Sequence, residues 1–127
     1  MRGLVTSATA LLAALLLMPA AHAADVRMQD TDTERKPLHT VVPDYPQVAR
    51  RDRLEGEVQV CFKITRNGSP WRIAVRKSTN RVFEKAALKA VRESTFVPLL
   101  PDEEASNIKA CRTFRFYLER VPREELD

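Results

Sequence analysis

Residues 57–65 alternate so cleanly that they admit few folds. Val58, Val60, Phe62 and Ile64 share one parity, while Gln59, Cys61, Lys63 and Thr65 share the other. That is the two-residue period of a strand with one dry face. Asn67-Gly68 follows, a pair suited to a hairpin turn that needs positive φ. After Pro70 the alternation resumes, with Trp71, Ile73 and Val75 expected inward and Arg72, Ala74 and Arg76 outward. The expectation is an antiparallel hairpin with one wet face. An isolated hairpin is marginal in water, so other parts of the chain must cover its apolar side.

The flanking segments supply that cover. Val41-Val42-Pro43-Asp44-Tyr45-Pro46 is an extended approach fixed by two prolines, and Pro46 suits the opening of a helix. The helix is expected over 47–54, with Val48 and Leu54 inward, Arg50, Arg51 and Arg53 outward, and Gly56 as its stop. Ser78, Thr79 and Asn80 offer capping oxygens to a second helix over 82–94. Phe83, Ala87, Ala90 and Val91 form its apolar stripe, away from Glu84, Lys85, Lys89 and Arg92. Phe96-Val97-Pro98 ends it. Residues 108–118 read as a third strand, Phe114, Phe116 and Leu118 inward and Thr113, Arg115 and Tyr117 outward. The predicted fold class is α+β: a two-layer sandwich, with a three-stranded antiparallel sheet and helices packed on one face.

With 127 residues there is room for one domain. Residues 1–23 read as an export signal: Arg2 near the start, an apolar run over 4–18, Pro19, then the small-x-small site Ala21-His22-Ala23. The run is shorter than the roughly 20 apolar residues of a membrane span. An uncleaved anchor is the alternative. Residues 24–40 are polar and charged and are expected to be a disordered linker. The folded domain is expected over 41–120 and a frayed tail over 121–127. The net charge of +4 is spread among 17 acidic residues, too diffuse for a nucleic-acid-binding stripe.

Several short motifs stand in an order that resembles a known family. Tyr45-Pro46, Ala49, Leu54-Glu55-Gly56-Glu57-Val58, Asn67-Gly68, Val75 and Ser78 come first. Phe83-Glu84-Lys85-Ala86-Ala87, Ala90-Val91, Phe96-Val97-Pro98 and Phe114-Arg115-Phe116-Tyr117-Leu118 complete the set. Together they resemble the TonB carboxy-terminal domain over roughly 41–119. The signature residues are Tyr45, Pro46, Gly56, Asn67, Gly68, Phe96 and Pro98. The resemblance implies a transducer of Gram-negative bacteria that links an inner-membrane motor to outer-membrane receptors. It implies a domain that does no chemistry and needs no cofactor. Such a domain captures an extended segment of a receptor, or of another envelope protein, as an added strand.

By the resemblance, the receiving edge is the last strand, at Thr113, Phe114, Arg115, Phe116 and Tyr117. Exposed edges also admit a second copy, giving a homodimer. The chain departs from the family pattern near its start. Ser7 and His22 are not one helical turn apart, and the linker is short with a single proline. A periplasmic binding protein with a cleaved signal is therefore the expectation, and an anchored transducer in contact with the membrane the alternative.

Cys61 and Cys111 fall on the outward parity of the first and third strands. In an oxidising compartment they are expected to form a disulfide. Closing a loop of roughly 50 residues would stabilise the fold by about 4 kcal/mol. A redox-active pair would call for a CxxC spacing, which is missing. Lys63, Arg72, Arg76 and Arg115 are expected to make the outer face basic, which supports a second reading as an envelope scaffold for an acidic partner. His39 stands alone, so no metal site is expected.

Overall fold

The hairpin forms where the alternation puts it, and the rest of the molecule is built on it. The computed structural model describes Gly3, residues 22–31 and residues 35–120. The expected export signal up to residue 21, Gly3 apart, and the tail over 121–127 lie outside the described residues. The elements are β1 (His22–Thr31), β2 (Pro37–His39), α1 (Gln47–Arg51), β3 (Gly56–Ile64), β4 (Pro70–Ser78), α2 (Glu84–Glu93), β5 (Thr95–Phe96) and β6 (Ala110–Arg120). A single 3-10 turn, Arg81–Phe83, leads into α2, and Asn80 caps it by accepting from the Val82 amide at 3.1 Å.

The α+β class is as expected, but the sheet has four strands where three were expected, in the order β1-β6-β3-β4. A second, two-stranded ribbon pairs β2 with β5. The extra strand in the main sheet is β1. It takes up the last two residues of the expected export signal and the first part of the expected disordered linker, and it pairs antiparallel with β6 from His22↔Arg120 to Thr31↔Cys111. The reason lies in its alternation: Val26 and Met28 reach the core, while Asp25, Arg27 and Gln29 stay exposed. Two apolar residues at strand spacing suffice when a neighbouring edge satisfies the backbone.

The core lies between the sheet and α2. Val58, Val60, Phe62, Phe114 and Phe116 come from the sheet, and Phe83, Ala87, Ala90 and Val91 from the helical side. All of them are buried on the parities the sequence assigns. Phe83 stacks on Phe116 with ring centroids 4.5 Å apart, and Tyr45 meets both rings edge-on. Ring pairs of this kind contribute about 0.5–1.5 kcal/mol each beyond their buried area. Gly56 is needed because a Cβ there would lie 2.7 Å from the Phe83 ring.

Two local expectations are corrected. Helix α1 stops at Arg51, short of Leu54, and turns its Ala49 inward; Val48 is 48% exposed. The chain leaves α1 through Arg53 at positive φ, which resets the helical phase. Trp71, expected in the core, is 44% exposed. Cys61 pairs with Ala74 but Lys63 pairs with Trp71, so β4 carries one extra residue between those pairs. Arg72 absorbs it at φ 49°. A bulge of this kind reverses strand parity, and it puts Trp71 beside outward Lys63.

Candidate strand-docking site

β6 was expected to be an open edge and is not. Thr113, Phe114, Arg115, Phe116 and Tyr117 pair on one side with Gln29, Met28, Arg27, Val26 and Asp25 of β1. On the other side β6 pairs with β3, for example Phe114 with Val58 and Arg115 with Glu57. The margins of the main sheet are therefore β1 and β4. The physical reason is plain: an edge rich in phenylalanine with unpaired backbone groups attracts any extended segment within reach.

The β1–β6 seam is held at two points. Near its outer end, the Tyr117 hydroxyl donates to Asp25 Oδ2 at 2.8 Å and accepts from Arg27 Nε at 3.1 Å. The Arg27 guanidinium also lies 5.1 Å from the centre of the Tyr117 ring. The Tyr117 hydroxyl, aided by the Val26 amide, holds the Asp25 carboxyl below its ordinary value.

At the inner end, Arg112 of β6 points into the core with 1% exposure. Asp30 of β1 receives it in a two-pronged ion pair, Nε to Oδ1 and Nη2 to Oδ2, the latter at 2.9 Å. Arg112 Nη1 also reaches Ser94 Oγ at 3.4 Å, and its guanidinium stands 5.6 Å from the Phe96 ring centre. Ser94 is itself buried; it donates to the Ala90 carbonyl at 2.7 Å and accepts from the Val41 amide at 3.1 Å. One network, buried at Arg112 and Ser94, thus joins β1, β6, the end of α2 and the segment leading to α1. Sequence reasoning missed both Asp30 and Arg112. The available signal was a charged residue on the inward parity of Phe114 and Phe116.

The other expected site residues fall into separate groups. Cys61 and Cys111 face each other in the β3–β6 register, Cα atoms 4.1 Å apart, and form the disulfide. Both are buried. The signature residues converge on two places. Tyr45, just ahead of Pro46, packs on Phe83 and donates its hydroxyl to the Leu54 carbonyl. Gly68, at φ 91°, accepts from the Phe96 amide at 2.8 Å, joining the Asn67-Gly68 turn to the segment that continues to Pro98. Of the basic residues, Lys63 and Arg72 flank Trp71, at 5.8 and 4.9 Å from its ring centre. Arg76 is exposed on β4, while Arg115 lies between Arg27 and Glu57 in the register. Among the described residues no group of His, Cys, Asp and Glu is placed to hold a metal ion. No helix among them is long and apolar enough to cross a membrane.

The class these elements define is a small α+β domain whose two central strands are joined covalently. The family described as Gram-negative bacterial TonB protein C-terminal matches residues 41–118, and this chain belongs to it. Protein tonB2 of Pseudomonas aeruginosa is 38% identical over 71 residues, covering 55% of this chain and 26% of that protein. Protein TonB of the same organism is 31% identical over 90 residues, covering 70% of this chain and 26% of that protein. The chain thus spans about a quarter of the length of these relatives. The solution NMR structure of the Pseudomonas aeruginosa TonB CTD aligns with a TM-score of 0.49 at 28% identity, covering 72% of this chain and 91% of that one. β1 lies wholly ahead of the stretch that matches the family.

Proposed function

We propose that this domain acts in the periplasm by binding an extended segment of an outer-membrane receptor, or of another envelope protein, as an added strand. In this reading it serves TonB-dependent transport as a binding module and not as an enzyme. The segment up to residue 23 is a cleaved export signal, so the mature chain begins at Ala24, two residues inside β1.

The observation that carries the reading is the β1–β6 seam. An extended segment from outside the family-matched stretch is seated along β6 over ten register positions, eight of which, from Ala24 to Thr31, belong to the mature chain. Strand addition draws affinity from main-chain hydrogen bonds and selectivity from alternate side chains, and β6 offers both. The test is photo-crosslinking in the periplasm from the exposed Arg115 position, with the attachment site mapped on the captured protein. Attachment to an extended amino-terminal segment of an outer-membrane receptor is the expected result. Capture confined to soluble proteins would remove the link to transport.

A second reading has its own observation. Exposed Trp71 between Lys63 and Arg72 is suited to an anionic envelope polymer. Under it, Arg72→Glu with Arg76→Glu abolishes binding to that polymer and spares strand addition.

A further inference from the structure

Arg112 is buried to 1% exposure, and its ion-pair partner is supplied by β1, a strand outside the family-matched residues. We infer that Arg112 is a carboxylate-reading anchor on β6, occupied here by Asp30 of the chain's own amino-terminal segment. The partner it fits is an extended peptide with Asp or Glu at the register position of Asp30 and apolar residues two and four positions earlier. The inference rests on the strand-addition reading and adds to it the chemistry that the incoming strand must carry.

Three observations lead to it. First, the register is fixed. Asp30 stands opposite Arg112, Met28 opposite Phe114 and Val26 opposite Phe116. The acidic position and the two apolar positions therefore lie on one face of the strand, toward the core. Second, a buried guanidinium strongly disfavours losing its anion, because its remaining partners are neutral. Here those are the Ser94 hydroxyl and the Phe96 ring. A strand without a carboxylate at this position leaves that charge unmatched, so the seam discriminates by penalty as well as by attraction.

Third, β1 is held by non-covalent contacts alone. Of its described side chains, Val26 and Met28 pack in part against the core, while Asp25, Arg27 and Gln29 are exposed. Its advantage is its tether, which gives it an effective concentration on the order of millimolar over any free peptide. A partner strand with the same acidic residue and larger apolar neighbours displaces it. The amino-terminal segment is then a resident competitor for the same edge.

The test uses the full chain and two labelled peptides. One has the sequence of residues 22–31, and the other is identical except for Asp30→Asn. Binding is followed by fluorescence anisotropy, and its location by the amide shifts of β6. Two chain variants weaken the resident strand by different routes, Asp30→Asn through the ion pair and Met28→Ser through packing. A fold lost in one is therefore tested in the other.

In both variants the unaltered peptide is expected to bind at least tenfold tighter than to the wild-type chain, and the altered peptide at least tenfold weaker than the unaltered one. In a Met28→Ser chain that also carries Arg112→Met, the two peptides are expected to bind alike. Equal binding of the two peptides where Arg112 is intact overturns the anchor and leaves strand addition standing. Failure of both peptides to bind, while β1 amides exchange freely, overturns the strand-addition reading and the anchor with it.

Discussion

Gly68 and Phe96 are in backbone contact. The Phe96 amide donates to the Gly68 carbonyl at 2.8 Å, and a Cβ on Gly68 would stand 2.0 Å from the Phe96 carbonyl oxygen. The hairpin turn and the segment that leaves α2 are therefore one structural unit. Gly68→Ala combines the strain of a side chain at φ 91° with a clash against rigid backbone. A loss of about 3 kcal/mol is expected. Urea unfolding measures it, and a midpoint within error of wild type would show that the two segments are not coupled.

The disulfide joins residues 50 apart in sequence. On chain entropy, replacing both cysteines (Cys61→Ala with Cys111→Ala) lowers stability by about 4 kcal/mol. Because the pair is buried and the two strands are also joined by their backbone ladder, the sheet topology should survive. Thermal melting with and without reductant, on wild type and the double variant, checks the prediction. Reductant should lower the wild-type midpoint and leave the variant unchanged.

Tyr45 gives the fold an alkaline limit. Burial, reinforced by the Glu55 charge, raises its phenol above the ordinary 10.0. A raised folded value means that the neutral form is favoured in the native state. The associated stability is present below the unfolded value and is lost as pH rises through the folded one. At neutral pH, Tyr45→Phe costs about 1 kcal/mol for the lost hydrogen bond to Leu54. Between pH 8 and pH 11 the urea midpoint of wild type should fall more steeply than that of the variant.

Helix α1 offers a contrast between adjacent positions. Ala49 is fully buried while Val48 is 48% exposed. Ala49→Leu overpacks the core and should cost about 1–3 kcal/mol. Val48→Ala should stay within about 0.5 kcal/mol of wild type. The reverse ranking in denaturant titrations would mean that α1 docks on its other face.

Much of the fold was legible because its periodicities are long. The nine residues of β3 and the apolar stripe of α2 place Val58, Val60, Phe62, Phe83, Ala87, Ala90 and Val91 without ambiguity. The disulfide followed from strand parity. What was hidden has local causes. The Arg72 bulge reverses parity in mid-strand, so Trp71 cannot be placed by counting. The five residues of α1 are too few for a helical phase to show. β1 carries two large apolar residues, Val26 and Met28, among charged and polar ones and looks like a solvated tether until β6 is there to receive it. The seam was hidden for a related reason: Arg112 stands at inward parity, but its partner Asp30 is 82 positions away and looks like an ordinary surface charge until they meet.

The bond between Cys61 and Cys111 also bears on mechanics. It ties β6 to β3, the two inner strands of the sheet, and leaves the outer strands on both flanks held by non-covalent contacts alone. A strand peeled from either margin thus leaves a riveted central pair behind. A pull along β6 passes into β3 through a sulfur–sulfur linkage as well as through a row of hydrogen bonds. In the proposed binding mode, an exchange of strands at the β1 margin would leave that linkage intact.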